Sequence, residues 1–543
     1  MKRSVLWLLA FTVCAFSLVA QDYFAAEQAG WLRKAEANKP ELQVSERQPV
    51  AVVKVLADGE AYQGWRMVAA GDVDALYSQP FSESGVILDF GEHITGYVTL
   101  DLSSSKKVPD SPAKFRLTFG EMPCEMAVPF DPFPGTLSRA WMQDEVVTVE
   151  TMPCRVEIPR RVSFRYVKIE VFAQPSYDFY LSGISCKAQT SVASFPEPLP
   201  DAVPEKIRDI ETVSLLTLKE CMQTVYEDGP KRDRRLWIGD LYLESMGNNY
   251  SFRQFDLTKR CLYAVAGIAG AEGFLHANAF EVPTWHCERN QYLYEYSLLF
   301  NATLKDYLIA SGDRETAEDL WPVAKRQLEI VRRYMTEKNI LDFDRLQKGW
   351  WVFIDWKDGL YKEVAAQGVA IFAMKETLEL ARLLGKEDEI KDIPEMIKKM
   401  TAAVKKEYYD RKSGLFVARS NPQVSYASQI WMVLSGVASQ KEGAKALLSL
   451  HQTPDVCRPG TPYLYHYYIQ ALLDCGLTEQ AKEELIDFWG GMIDKGADTF
   501  WEAYDPQDDY ISPYNFHPLN SYCHAWSCTP VYFIRKYPEI FQR

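Results

Sequence analysis

Between about residues 45 and 195 the chain alternates apolar and polar side chains with a period of two. Residues 85–91 lead into 93–102, and the runs 115–119, 146–150 and 164–171 follow. All are rich in β-branched and aromatic residues, with Gly, Pro, Ser and Asp between them. Successive side chains of a strand point to opposite faces, so each run predicts a half-buried strand. Several short strands at this spacing predict a β-sandwich. Pro196, Pro198, Pro200 and Pro204 then mark a linker. From about Glu205 the period becomes helical, with predicted helices over 209–218, 317–334, 365–384, 390–409, 444–451 and 479–487. The length remaining to residue 543 accommodates a dozen ordinary helices. That number suits an α/α toroid, in which inner and outer helices alternate and the loops at one end form a pocket.

Composition adds constraints. A chain of 543 residues exceeds one ordinary core, and 47% hydrophobic with 25% charged residues is globular usage. Residues 1–20 read as a signal peptide: Lys2 and Arg3 precede the apolar run 5–19, and Ala20 offers a small residue at the cut. That run is short for a membrane span, and no later segment is apolar enough to be one. Removing Lys2 and Arg3 takes the net charge from −14 to −16, which repels phosphate backbones and argues against nucleic acid as a partner. The expected location is periplasmic or secreted. Ten cysteines remain after position 20, scattered and without a CxxC pair, which is neither a zinc pattern nor a disulfide scaffold. With 14 Trp and 30 Tyr, the aromatic content suits carbohydrate surfaces and large helical packing equally.

Residues 228–240 carry the most chemistry. Asp228, Asp233 and Asp240 alternate with Arg232, Arg234 and Arg235, next to Gly229-Pro230 and Trp237. Glycoside hydrolysis needs one carboxyl to protonate the leaving oxygen and another to activate water or attack carbon. Neighbouring carboxylates keep one of them protonated, and arginines anchor the rest. If a helix begins near Asp233, then Asp233 and Asp240 share its face, while Asp228 stays in the loop before Pro230. The plainer reading is a helix cap with surface salt bridges. A second cluster favours the chemical reading: Glu502 lies between Trp501 and Tyr504, and His524 and Trp526 follow it.

Together, in this order, the two clusters resemble the bacterial α-L-rhamnosidases of glycoside hydrolase family 78. That family's first motif reads roughly Asp-Cys-Pro-x-Arg-(Asp/Glu)-Glu-Arg-x-Gly-Trp-x-Gly-Asp. This chain matches at Asp228, Pro230, Arg232, Asp233 and Arg235 and, after a one-residue gap, at Trp237, Gly239 and Asp240. Trp501, Glu502 and His524 match the later motif. The strings 89–91, 96–98, 119–121 and 164–167 resemble the family's accessory sandwich, and 311–313 and 354–356 resemble further family strings. The resemblance implies an N-terminal β-sandwich accessory domain over 21–195 and an (α/α)6 barrel catalytic domain over 205–543.

It also implies roles. Asp233 takes the general-acid position, and Glu502 activates water for an inverting displacement. Asp228, Arg232 and Asp240 hold sugar hydroxyls. Trp237, Trp285, Trp356 and Trp501 form an aromatic wall, and His524 touches the sugar. No metal or cofactor is required. The expected substrate is a glycoside or plant-type glycan with terminal α-L-rhamnose. Three departures stand out. Gly229 replaces the family's Cys, a change of small expected consequence. Asp233 is one methylene shorter than the usual Glu. The one-residue gap also leaves Arg234 as an alternative occupant of the acid column. Two other functions remain open: the same fold acting on another α-linked or uronate-bearing sugar, and a carbohydrate-binding homologue without catalysis.

Overall fold

A computed structural model describes residues 22–81, 85–106, 110–173, 176–289 and 291–543. The leader expected over 1–20 lies outside the described residues. The strand runs all form, and most extend beyond their sequence signatures. Val86–Ser104 joins two predicted runs into one long strand. A register shift between Asp89 and Ile94 lets this strand serve two layers. Its first half pairs with Ala51–Ala57 and Val162–Ala173, and its second half pairs with Cys154–Glu157 and Phe179–Thr190. The strands are antiparallel and fold into a sandwich-like body around Leu88, Val98, Leu100, Phe115, Leu117, Phe164 and Val167.

The second half of the chain is a ring of helices. Ile238–Tyr250, Tyr294–Ser311, Glu363–Leu384, Tyr426–Leu434, Pro462–Asp474 and Pro530–Lys536 form its inner circle, and the last packs on the first to close it. Glu205–Cys221, Phe255–Gly267, Arg314–Tyr334, Ile393–Tyr408, Gln440–Leu450 and Thr478–Asp494 alternate with them outside. Connections from inner to outer helices are short. In one, Gly312 adopts φ +73°, and Asp313 then accepts the Thr316 N–H at 3.0 Å to cap the next helix. Most connections from outer to inner helices are long, and they gather at the opposite end of the ring.

The inner helices are covered on all sides, so almost every residue of Ile238–Tyr250 is buried. Outer helices such as Arg314–Tyr334 keep one wet face. One element belongs to the ring although its sequence position puts it before the sandwich. Helix Gln28–Ala37 packs on Phe255–Gly267, and Phe24, Trp31 and Ala35 join the helical core. The approach is close: a Cβ at Gly267 would sit 2.5 Å from the Leu32 side chain. Among the described residues no helix is long and apolar enough to cross a membrane. Cys124, Cys186, Cys221, Cys261, Cys475, Cys523 and Cys528 are buried.

The docking of the first helix has a measurable consequence. Trp31→Ala removes a buried ring and should cost about 3–5 kcal/mol. In urea unfolding followed by far-ultraviolet circular dichroism, the midpoint of the helical signal should fall. An unchanged midpoint would mean the first helix is not part of the helical core.

Candidate active site

Residues 228–235 form a loop rather than the start of a helix. Arg234 takes φ +64°, outside helical geometry, and the Arg232–Asp233 peptide is cis. The Asp228 side chain closes the loop by accepting the Arg235 N–H at 3.0 Å and the Asp233 N–H at 3.3 Å. Leu236–Trp237 then pairs with Asn278–Ala279, and the helix begins only at Ile238. Asp233 and Asp240 therefore do not share a helix face. Asp240 occupies the first turn of the inner helix, and Asp233 projects from the loop before it. Two glycines make the arrangement possible. A Cβ at Gly239 would lie 2.2 Å from the Tyr296 ring. At Gly229 it would lie 2.4 Å from the Arg232 carbonyl and 2.6 Å from the Ser521 hydroxyl. Gly229 thus matters more than the motif comparison predicted: it lets two loops touch.

The second loop carries Glu502. Its Oε1 accepts from the Tyr514 hydroxyl, and its Oε2 accepts from Arg232 and from the Ser521 N–H at 3.0 Å. Trp526 Nε1 donates to the Glu502 carbonyl at 2.9 Å. The two loops meet at Arg232. One Nη of this buried guanidinium contacts Asp233 at 3.2 Å, and the other contacts Glu502. Its Nε donates to the Leu519 carbonyl at 3.1 Å, and its face lies 4.3 Å from the Tyr514 ring centre.

Around this bridge lies a pocket of about 380 Å³, its open mouth included. Asp228, Arg232, Asp233, Asp240, Glu502 and His524 supply polar groups. Leu293, Tyr296, Trp351, Phe353, Trp356 and Trp526 supply an apolar wall, with Trp237 and Tyr514 completing the lining. Phe353 and Trp356 pack edge to face at 5.0 Å. Asp355 fixes their loop by accepting from the Thr461 hydroxyl at 2.5 Å and the Gly460 N–H at 2.6 Å. Asp233 keeps 15% of its side chain exposed, against 2% for Glu502 and for Asp240. The pocket therefore has one carboxylate nearer solvent and another deep inside.

Comparison with known proteins places this architecture. Residues 49–188 match the glycosyl hydrolase family 78 alpha-rhamnosidase N-terminal domain, and residues 204–537 match the bacterial alpha-L-rhamnosidase six-hairpin glycosidase domain. The chain belongs to glycoside hydrolase family 78. A rhamnosidase from Klebsiella oxytoca, solved with rhamnose bound, is 39% identical, with a TM-score of 0.90 over 94% of this chain and 99% of that one. A family 78 rhamnosidase of Bacillus sp. GL1 shares the fold at 18% identity and TM-score 0.71, over 87% of this chain and 49% of that one. The Streptomyces avermitilis α-L-rhamnosidase, complexed with L-rhamnose, shares it at 16% identity and TM-score 0.64, over 91% of this chain and 44% of that one. No curated protein matched. The chain is a glycoside hydrolase of the α-L-rhamnosidase type with a sandwich-like N-terminal region and a six-hairpin toroid.

Burial sets the charges of this family 78 pocket. Desolvation, followed by the charge of Asp233, pushes Asp228 up to about 8. Desolvation and Asp228 hold Asp240 well above the ordinary carboxyl range. Both shifts favour the protonated carboxyl, which can donate as well as accept. Burial, then Arg232, lowers His524 well below an ordinary histidine, so its ring is neutral. Its Nδ1 lies 3.7 Å from Asp240 Oδ1, and neither atom has a hydrogen-bond partner. A hydroxyl about 2.8 Å from each would satisfy both. Among the described residues no group of His, Cys, Asp and Glu is placed to hold a metal ion.

The pocket collects Asp228, Arg232, Asp233, Trp237, Asp240, Trp356, Glu502 and His524 from the sequence prediction. It does not collect Trp285 or Trp501. Trp285 donates to Glu36 at 2.7 Å and lies against Arg260, tying the first helix to the ring. Trp501 is buried against Tyr62 of the sandwich region, ring centres 4.4 Å apart. Arg234, the alternative occupant of the acid column, points instead to the Lys231 carbonyl and Gln143. Sequence reasoning missed Leu293, Tyr296, Trp351, Phe353 and Tyr514 as lining, and placed Trp526 in the Glu502 cluster without giving it a role. The aromatic density of 350–356 was a usable signal for two of them. Tyr296 had none, because it lies on an inner helix without a polar face.

The Asp228 proton makes stability depend on pH. The unfolded side chain releases it near 3.8, and the folded one near 8. Between those values the folded state holds the extra proton, so stability falls as pH rises through the window. Asp228→Asn removes this contribution. Its urea midpoint should decline less than that of the wild type between about pH 5 and about pH 8; parallel declines would show that Asp228 is already ionised at neutral pH.

Proposed function

We propose that this chain is an exported, inverting exo-glycosidase that releases terminal α-L-rhamnose from plant-type glycans or glycosides. The observation that carries the reading is the Arg232 bridge, which holds Asp233 at the pocket mouth and Glu502 within it. A leaving group departs through the mouth, so the more exposed Asp233 is placed to take a proton from solvent and hand it to the glycosidic oxygen. Glu502 then takes a proton from water as that water attacks the anomeric carbon from the opposite face. The two carboxylates contact different nitrogens of one guanidinium rather than each other, and inverting enzymes keep their carboxyls roughly 6.5–9.5 Å apart to leave room for a water. The apolar wall suits the methyl group of a 6-deoxy sugar, and Asp228, Asp240 and His524 suit its hydroxyls. The rhamnose bound to the Klebsiella oxytoca relative supports the same sugar.

The two other functions have less support. Arg232 and Arg235 already pair with carboxylates and Arg234 points away, so the motif offers no unpaired guanidinium to a uronate. Both candidate catalytic carboxyls line the pocket, which argues against a binding-only homologue. The basic start and apolar run of residues 1–20 support export.

Glu502→Gln should lower kcat about 1,000-fold or more while leaving thermal unfolding near wild type; retained activity would remove Glu502 from the base role. Asp233→Asn should cost far less on 4-nitrophenyl α-L-rhamnoside than on disaccharide rhamnosides, because a good leaving group needs little protonation. Equal losses would assign the acid elsewhere. Proton NMR on rhamnose-capped oligosaccharides should show β-L-rhamnose as the first product. The α-anomer first would exclude inversion, and release of another sugar would change the substrate.

A further inference from the structure

We infer that Glu121, in the N-terminal sandwich-like region, is a positioning residue for the catalytic pair, so that this region forms part of the active-site machinery. The inference rests on the assignment of Asp233 and Glu502 made above. Glu121 directly follows strand Ala113–Gly120, in the string Phe119-Gly120-Glu121 that the site itself does not use. It is buried, and its two oxygens face opposite ways. Oε2 accepts the Tyr522 N–H at 2.7 Å and lies 3.0 Å from Lys231 Nζ. Oε1 lies 3.0 Å from His93 Nε2.

Those partners belong to the two loops that carry the chemistry. Tyr522 follows Ser521, whose N–H holds Glu502, and precedes His524 by two residues. Lys231 precedes Arg232, whose guanidinium bridges Asp233 and Glu502. One carboxylate oxygen from another domain thus grips the acid loop and the base loop together. Glu125 reinforces it: its Oε1 accepts from Lys231 at 3.0 Å, and its Oε2 accepts the Glu121 N–H at 2.7 Å. Gly120 lets this turn close, because a Cβ there would lie 2.8 Å from the Glu125 Cβ. The contact is charged. Burial alone would raise Glu121, but Lys231, His93 and the Tyr522 N–H outweigh it and lower it. Burial likewise opposes a charge on His93, yet Cys523, Glu121 and Glu220 raise that ring to about 10.

Such a clamp acts through geometry. It touches no substrate, so its loss should displace the acid relative to the base and leave the sugar-binding groups in place. A misplacement of about 1 Å can cost on the order of 100-fold in rate. Glu121→Gln keeps an oxygen for the Tyr522 N–H and loses the charge opposite Lys231, whereas Glu121→Ala loses both.

The test measures kcat and KM of the full chain on a disaccharide rhamnoside, whose poor leaving group needs the acid, with rhamnose-binding sites counted by calorimetry. Rates are expressed per binding-competent site, so that unfolded protein does not count. Glu121→Gln should lower kcat about 10-fold and Glu121→Ala about 100-fold, with KM within about threefold of wild type. This ordered loss, partly rescued by the conservative variant, would support the clamp. A kcat per site within twofold of wild type for Glu121→Gln would overturn it, and that variant alone decides if Glu121→Ala fails to fold. Glu502→Gln runs in parallel. If it stays active, the site assignment fails and takes the inference with it; if it is inactive while both Glu121 variants are normal, only the inference fails.

Discussion

The buried guanidinium of Arg232 is the constraint on which the site depends. It is almost wholly removed from water, yet each edge has a partner: Asp233, Glu502 and the Leu519 carbonyl. Its face lies over Tyr514, which also donates to Glu502. A buried charge is tolerated only when its hydrogen-bonding groups are satisfied, and removing one partner of such a pair costs about 3–5 kcal/mol. The planar fork fixes two contacts at once, which a lysine could not do. Arg232 therefore sets the separation of two carboxyls that lie 269 positions apart in the chain.

Around that fork the pocket has two chemically different sides. The polar side comes from the loop before Ile238–Tyr250, the start of that helix and the loop carrying Glu502. The apolar side comes from the start of Tyr294–Ser311, from 351–356 and from Trp526. Burial, and after it neighbouring carboxyls (Asp233 for Asp228, Asp228 for Asp240), favours the protonated forms of these two acids. A site that pairs buried acids and a neutral histidine with an aromatic wall has the polarity to suit a ring with several hydroxyls and one greasy corner. The orphaned atoms of Asp240 and His524 mark where such a ring would bond.

The helices show why some elements were legible in the sequence and others were not. Predicted segments such as 317–334, 390–409 and 444–451 belong to outer helices, which have a wet face and so carry an apolar stripe. Among the inner helices Glu363–Leu384 was identified, over 365–384, and its last turns expose Glu379 and Arg382, whereas Ile238–Tyr250, Tyr294–Ser311 and Pro462–Asp474, more fully surrounded by protein, were not. The first helix, Gln28–Ala37, has a weak stripe of its own and gains its place by docking Trp31 into the ring.

What the sequence determined by itself was the change of period from two to 3.6 and the types of residue available for chemistry. Strand and helix patterns are local, and so is a motif that sets Asp228, Arg232, Asp233 and Asp240 within a few turns of chain. Only the tertiary structure decided direction. It turned Asp233 into the pocket and Arg234 out of it, towards the Lys231 carbonyl. It spent Trp285 and Trp501 on packing and brought in Tyr296, Phe353 and Tyr514 instead. Side-chain direction depends on closing loops against one another, at contacts such as Gly229 against Ser521 and Glu121 against Tyr522. Those contacts join residues hundreds of positions apart, and no local period encodes them.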